Sequence, residues 1–176
     1  MMAPRSRRAP TVATMLVGLG LIAVPGIANW QPRVIWNASA SVPLGLYATA
    51  LADGIAHGDL VLVHPPETLA AFLAARGYVA RGVPLLKHVV ALPPQVVCAE
   101  GDAIMVDGET MAQRRGADRL GRPLPTWHGC QPLQVGEVFL VNAAEPDSLD
   151  GRYFGPMPRT SIVARLRPVW ITGGGP

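Results

Sequence analysis

The run VPLLKHVVAL, Val83 to Leu92, is apolar along most of its length and carries a lysine near its centre. Its β-branched and aliphatic residues, with the Pro near the start, read as a strand. Alternation along a strand sends Leu85, Lys87 and Val89 to one face and Leu86, His88 and Val90 to the other. Both faces are then largely apolar, and Lys87 has two readings. On an edge strand it snorkels to water and discourages edge pairing. In a covered strand, burial disfavours the ammonium and leaves a neutral amine able to act as a base near neutral pH. Lowering a lysine from its ordinary value to near 7 costs roughly 4 to 5 kcal/mol. A fold carries such a cost for a reason.

Outward from this run the pattern continues as short apolar stretches between turns. LYATAL, DLVLVH, QVVCAE, AIMVDG, EVFLVN and ARLRPVWI read as further strands, with Asp107-Gly108 as a hairpin turn. PPETLAAFLAARGY reads as a helix, with Pro at its entry, Leu69, Phe72, Leu73 and Arg76 at helical spacing, and Gly77 closing it. RRGADRLGRPLPTWHG is polar, rich in Gly and Pro, and lies between the two cysteines, which marks an excursion from the main sheet over about 96–134. The class is mostly β, with residues 30–176 as one domain.

The 176 residues are 49% apolar and only 15% charged, and 18 Pro and 19 Gly require many turns. The net charge of +3 is not gathered into a basic face, which argues against nucleic acid as a partner. Neither a zinc spacing nor a cofactor motif occurs, so no metal and no cofactor is expected. Cys98 and Cys130 are expected to pair as a disulfide, as in most exported domains, with two buried free thiols as the alternative.

The first thirty residues differ in kind. Arg5, Arg7 and Arg8 precede the charge-free stretch Thr11 to Ala28. That stretch has about the length a helix needs to cross a bilayer, roughly 17 to 25 residues. The arginines predict a cytoplasmic N-terminus with the rest of the chain outside. Residues 1–29 are therefore expected to be a cytoplasmic end and a transmembrane anchor, which in a bacterial cell lies in the inner membrane. Residues 30–176 are then periplasmic, and Trp30 and Trp36 sit where interfacial aromatics belong. A cleaved signal ending at Ala28 gives the same compartment.

Between this segment and the first clear strand lies NASASVPLGLY, Asn37 to Tyr47. Ser39 and Ser41 share a side if the stretch is extended, so both can face one carbonyl. A serine hydroxyl is a weak nucleophile until a base takes its proton. None of His57, His64, His88 and His128 lies in a triad context, and GxSxG is absent. Lys87 is the other candidate base.

NASASVPLGLY resembles the nucleophile segment of the TraF-type conjugative-transfer signal peptidases, relatives of bacterial signal peptidase I. LLKHVVALP resembles their lysine segment, and SLDGRYFGPMP, Ser148 to Pro158, their third segment. The three occur in the family's order behind an N-terminal apolar segment. The resemblance implies an antiparallel signal-peptidase-like β catalytic domain on one transmembrane helix. It implies Ser41 as nucleophile and Lys87 as general base, and the Ser39 hydroxyl beside the Ser41 N–H in the oxyanion hole. Ser148 would orient the lysine, with Asp150 and Arg152 as a supporting pair. The sequence departs from ordinary signal peptidases where Val42 and Pro43 directly follow Ser41. It departs again at His88 and at Pro94-Gln95, and in VNAAEPDS, which keeps Asn142 alone of the usual Gly-Asp-Asn.

The expected activity is a membrane-anchored serine endopeptidase with a Ser/Lys dyad. Its expected partner is a conjugative pilin or other signal-bearing precursor, matured and in one variant cyclised, alongside conjugation or type IV secretion components. A general signal peptidase I and an inactive periplasmic scaffold are the alternatives.

Overall fold

A computed structural model describes residues 8–27 and 33–172. Arg5, Arg7, the end of the apolar run at Ala28, and Trp30 lie outside the described residues. The chain divides into two units, Met1–Pro32 and Arg33–Pro176. In the first, α1 (Arg8–Ile27) covers most of the stretch expected as an anchor. It includes Arg8, Pro10, Gly18, Gly20 and Pro25, and no described helix is long and apolar enough to cross a membrane.

The second unit is an antiparallel β structure of two sheets. The larger takes β1 (Val34–Asn37), β2 (Gly45–Ala50), β3 (Leu60–Val63), β4 (Leu85–Ala91), β9 (Glu137–Leu140), β10 (Met157–Pro158) and β11 (Ile162–Ile171). Their spatial order is β1-β2-β11-β3-β4-β9-β10. The smaller takes β5 (Val96–Glu100), β6 (Ala103–Val106), β7 (Glu109–Gln113) and β8 (Gly129–Pro132), in the order β7-β6-β5-β8. The helix expected before the lysine strand is α2 (Glu67–Ala75), closed by Gly77 at φ 69°. Asp107 and Gly108 both take positive φ, 50° and 86°, which is the two-residue turn that joins β6 to β7.

The position of β4 decides the reading of its lysine. It pairs with β3 on one side and β9 on the other, so it has no free edge. Val61 lies opposite Lys87 and is fully buried. Val89 and Leu85 pack with Val61, Val63, Val138 and Leu140. Leu86 turns the other way, to a cluster with Val42, Tyr47, Leu62, Ala164 and Leu166. The far end of β4, at Val90 and Ala91, joins Phe139 and Val141 against Val97, Ile104 and Val106 of the smaller sheet. The smaller sheet therefore shares its core with the lysine strand.

Cys98 on β5 stands directly opposite Cys130 on β8, and the two are joined in a disulfide. The strand β8 is exposed at every residue, so the covalent bond holds what little apolar burial can. The sequence separation is 32 residues, a loop whose closure is worth roughly 3 to 4 kcal/mol by chain entropy. Thiol labelling of unreduced, denatured protein should find no reactive cysteine. Reduction should lower the unfolding free energy by about that amount.

Candidate active site

The serines expected on an extended strand are not on one. The strand β1 ends at Asn37 and β2 begins at Gly45, with these two residues opposite each other in the ladder. Ser39 to Ser41 form the turn between them. The cause is the Asn37 carboxamide, which offers the backbone an alternative to the ladder. Its Nδ2 donates to the carbonyls of Ser39, Val42 and Pro43 at 2.8, 3.1 and 3.1 Å. Its Oδ1 accepts from the Ser39 N–H and from the Ser39 hydroxyl, each at 3.1 Å. Tyr47 donates its hydroxyl to the Pro43 carbonyl at 2.6 Å, and Val42 is buried directly after Ser41. The turn still brings the two hydroxyls together, with Ser39 Oγ and Ser41 Oγ 3.1 Å apart.

Lys87 is 4% exposed, and its amine donates to the Ser148 hydroxyl at 2.8 Å. Ser148 lies in the loop between β9 and α3 (Gly151–Phe154), and that loop is held by a buried ion pair. Asp150 caps α3 by accepting from the Arg152 N–H, and its carboxylate accepts from both Nε and Nη2 of Arg152 at 2.9 Å. The same guanidinium donates to the carbonyls of Asn142, Glu145 and Ser148 at 3.2, 2.6 and 3.2 Å. Asp150 and Arg152 are 2% and 1% exposed, so this is no surface pair. Gly151 follows from the same crowding, since a Cβ there would sit 2.8 Å from the Leu140 carbonyl and the Phe139 ring.

Two asparagines carry weight that the motifs did not assign them. Asn37 is one. The other is Asn142, whose Nδ2 donates to the Leu86 carbonyl at 3.0 Å and whose Oδ1 accepts from the His88 N–H at 3.0 Å. It thus grips β4 on both sides of Lys87, while its own N–H donates to Asp150 at 2.9 Å. The signal available in the sequence was chemical: an amide beside each segment, in places where the chain must leave a strand.

Burial lowers the Lys87 amine from 10.5 to about 8, with the charge of Asp150 opposing the shift and that of Arg152 adding to it. His88 is pushed down by burial and by the charge of Lys87. A cleft of about 1030 Å³ takes in Ser39, Ser41, Lys87 and Ser148. Its lining also includes the loop after β7, tied to the end of α2 by Tyr78 donating to Asp118 and by Arg76 donating to the Pro123 carbonyl. Among the described residues no hydrogen bond joins Ser41 to Lys87; Ser41 is bonded to Ser39 and Lys87 to Ser148. The one described cluster with metal-ligand spacing is Cys98, Glu100 and Cys130, and its two sulfurs are joined to each other. The arrangement brings all the site residues expected from the sequence, except the disulfide pair, to one cleft or to the loop and short helix that support it.

The buried amine sets a stability prediction. Below pH 8 the folded chain must hold a buried ammonium. Between about 8 and 10.5 the unfolded chain binds the additional proton, so folding stability rises with pH across that window. Lys87→Met removes the burden but leaves the Ser148 hydroxyl without its donor, a loss of about 1 to 2 kcal/mol against a relief of about 3. Denaturant unfolding at pH 7 should show the variant more stable by about 1 to 2 kcal/mol, and the difference should shrink towards pH 10.

The family model "Signal peptidase, peptidase S26" matches residues 8–171. The plasmid transfer protein TraF of Escherichia coli is 36% identical over 144 residues, covering 76% of this chain and 80% of that protein. The conjugal transfer protein TraF of Agrobacterium tumefaciens is 38% identical over 146 residues, with 76% and 80% covered. A probable signal peptidase I-1 of Synechocystis is 27% identical over 108 residues, covering 60% of this chain and 50% of that protein. The chain belongs to the signal peptidase S26 family and is a homologue of its TraF conjugal transfer proteins.

Proposed function

We propose that the protein is a membrane-anchored serine endopeptidase in which Ser41 is the nucleophile and Lys87 its general base. The observation that carries this is a buried amine, lowered to about 8, held by Ser148 in the same cleft as an accessible serine turn. A desolvated lysine of this kind is neutral often enough near pH 8 to accept a proton.

In the reaction, the Ser41 hydroxyl turns from Ser39 to the neutral amine and gives it a proton as Oγ attacks the scissile carbonyl. The oxyanion forms against the Ser41 N–H and the Ser39 hydroxyl, donors whose removal costs about 3 to 4 kcal/mol. The tetrahedral intermediate collapses with breakage of the C–N bond. The leaving amine takes the proton from Lys87, and an ester remains on Ser41. Lys87, neutral again, deprotonates the second nucleophile. Its attack breaks the ester C–O bond, the Ser41 oxygen takes the proton back from Lys87, and water as this nucleophile gives a linear product. An amine of the substrate, held near the ester at high effective concentration, gives a cyclic one.

The substrate is a membrane-tethered precursor, a conjugative pilin in the first instance. The TraF homologues support that choice through the plasmid transfer and conjugal transfer in their names. The weaker match to a probable signal peptidase I-1 favours a second reading, removal of signal peptides from many exported proteins. Processing confined to one precursor separates the first from the second. An inactive scaffold would tolerate loss of Ser41.

The membrane placement rests on separate features. The charge-free Thr11 to Ala28 follows Arg5, Arg7 and Arg8, the pattern of an anchor with its N-terminus in the cytoplasm. A disulfide suits the oxidising periplasm. Trp36 and Trp170 stack at 5.9 Å while more than half exposed, as aromatics at a membrane interface do.

Ser41→Ala and Lys87→Ala should abolish processing of a co-expressed pilin precursor with the fold retained. Lys87→Arg should fail as well, because guanidinium stays protonated. The rate should fall about tenfold per pH unit below a midpoint near 8, since protonation removes the base. Substantial activity in Lys87→Arg, or a rate level between pH 5 and pH 9, would exclude the lysine base.

A further inference from the structure

We infer that Asn37 is a positioning residue for the reaction, acting through Ser39 on the proton of the nucleophile. The inference rests on the Ser41/Lys87 reading proposed above.

Its starting point is the orientation of the Asn37 amide, which its surroundings fix. One end of the carboxamide faces the carbonyls of Ser39, Val42 and Pro43, and the other faces the Ser39 N–H. Turning the group over would set its oxygen against the carbonyl oxygens and its nitrogen against an N–H. The end bonded to the Ser39 hydroxyl is therefore the oxygen, which can only accept. Ser39 has a single hydroxyl proton and hydrogen-bond neighbours at Asn37 Oδ1 and Ser41 Oγ, each 3.1 Å away. Only one assignment makes both bonds at once. Ser39 donates to Asn37, and Ser41 donates to Ser39.

Asn37 thereby decides where the nucleophile's proton rests. In this structure it points to Ser39 and not to the amine, in keeping with Lys87 being bonded to Ser148 instead. The reaction then needs two turns of hydroxyl groups. Ser41 must turn its proton to Lys87, and Ser39 must turn its own from Asn37 to the oxyanion. Asn37 keeps the Ser39 N–H throughout, so the backbone of the turn holds while the hydroxyl is released. A neutral acceptor suits this task because it holds the proton without trapping it. A carboxylate in its place would bind the proton about twice as strongly.

The surroundings give the amide a rigid base. Asn37 is 4% exposed and closes the ladder opposite Gly45. A Cβ on Gly45 would lie 2.1 Å from the Trp170 carbonyl, so β2 is pressed against β11 at that point. The turn has little freedom except in its hydroxyl groups.

The test is a double-mutant cycle on the full chain in detergent, with a fluorogenic peptide bearing alanine before the scissile bond. Asn37→Ala alone should lower kcat about 30-fold with KM within threefold, because the Ser39 oxygen loses the bond that sets it beside Ser41 and the forming oxyanion, and in a Ser39→Ala background it should lower kcat less than about threefold. Asn37→Ser, whose hydroxyl can still accept from the Ser39 N–H without setting a charge against the carbonyls, carries the same cycle if the alanine variant does not fold. It too should lose kcat in the parent chain and little in the Ser39→Ala background. Equal losses in both backgrounds, or a loss confined to KM, would make Asn37 a scaffold of the turn only and overturn the inference. Ser41→Ala serves as the control. If it stays inactive while the losses add, the dyad stands and the Asn37 inference falls. If it retains activity, the dyad itself falls and takes the inference with it.

Discussion

A guanidinium in the interior of a protein must be surrounded by acceptors, and the Arg152 side chain organises the third segment on that condition. It is 1% exposed, and its charge is met by the Asp150 carboxylate together with the carbonyls of Asn142, Glu145 and Ser148. An unpaired buried charge is far more costly than the loop geometry needed to pair it. The loop between β9 and α3 is thus folded around the cation. Ser148 is placed by its own carbonyl, and its hydroxyl then meets the Lys87 amine. A charge pair without a step in the proposed chemistry thereby fixes the partner of the base.

Lys87 is buried for a topological reason. In an antiparallel sheet an interior strand has neighbours on both sides, and β4 also feeds its far end into the core of the smaller sheet. The amine cannot reach water along a strand edge. Its nearest satisfied state is a hydrogen bond to a neutral hydroxyl, which compensates the ammonium less well than a carboxylate would. Asp150 is close enough to oppose the shift but is taken up by Arg152. The result is an amine lowered by burial and not rescued by a counter-charge.

The β class was legible because strands with buried residues leave apolar runs, and the lysine strand, its helix and the Asp107-Gly108 turn all carried local signatures. The exposed strand β8, with the sequence GCQP, carried none; it is held by pairing and by Cys130. Within the candidate site, Ser39, Ser41 and Lys87 stood out by residue type and spacing, and Ser148 only through the resemblance of its segment. The shape of the serine segment did not. NASASV alternates as a strand does, yet it folds as a turn, since Asn37 binds carbonyls up to six residues ahead. Periodicity reports which side chains share a face. It is silent about a side chain that replaces the ladder. Asn142 escaped for the same reason, its partners being backbone groups on a strand 54 and 56 residues earlier.

Asn37 and Asn142 share one device. Each uses both ends of a carboxamide on backbone groups, so neither end depends on the rotamer of another side chain. Asn37 binds the turn that bears Ser41, and Asn142 binds β4 on both sides of Lys87. Backbone groups of a packed sheet move little, so a strut between them is stiffer than a chain of hydroxyl groups. The proposed proton path, by contrast, runs through groups that must turn: Ser39, Ser41 and the lysine amine. Charged side chains at the two strut positions would have bound more strongly, but a charge beside the lysine would move its pKa, and one beside Ser39 would hold the proton that must leave. Neutral amides separate the two demands, fixing the backbone without adding charge to the field in which the base must work.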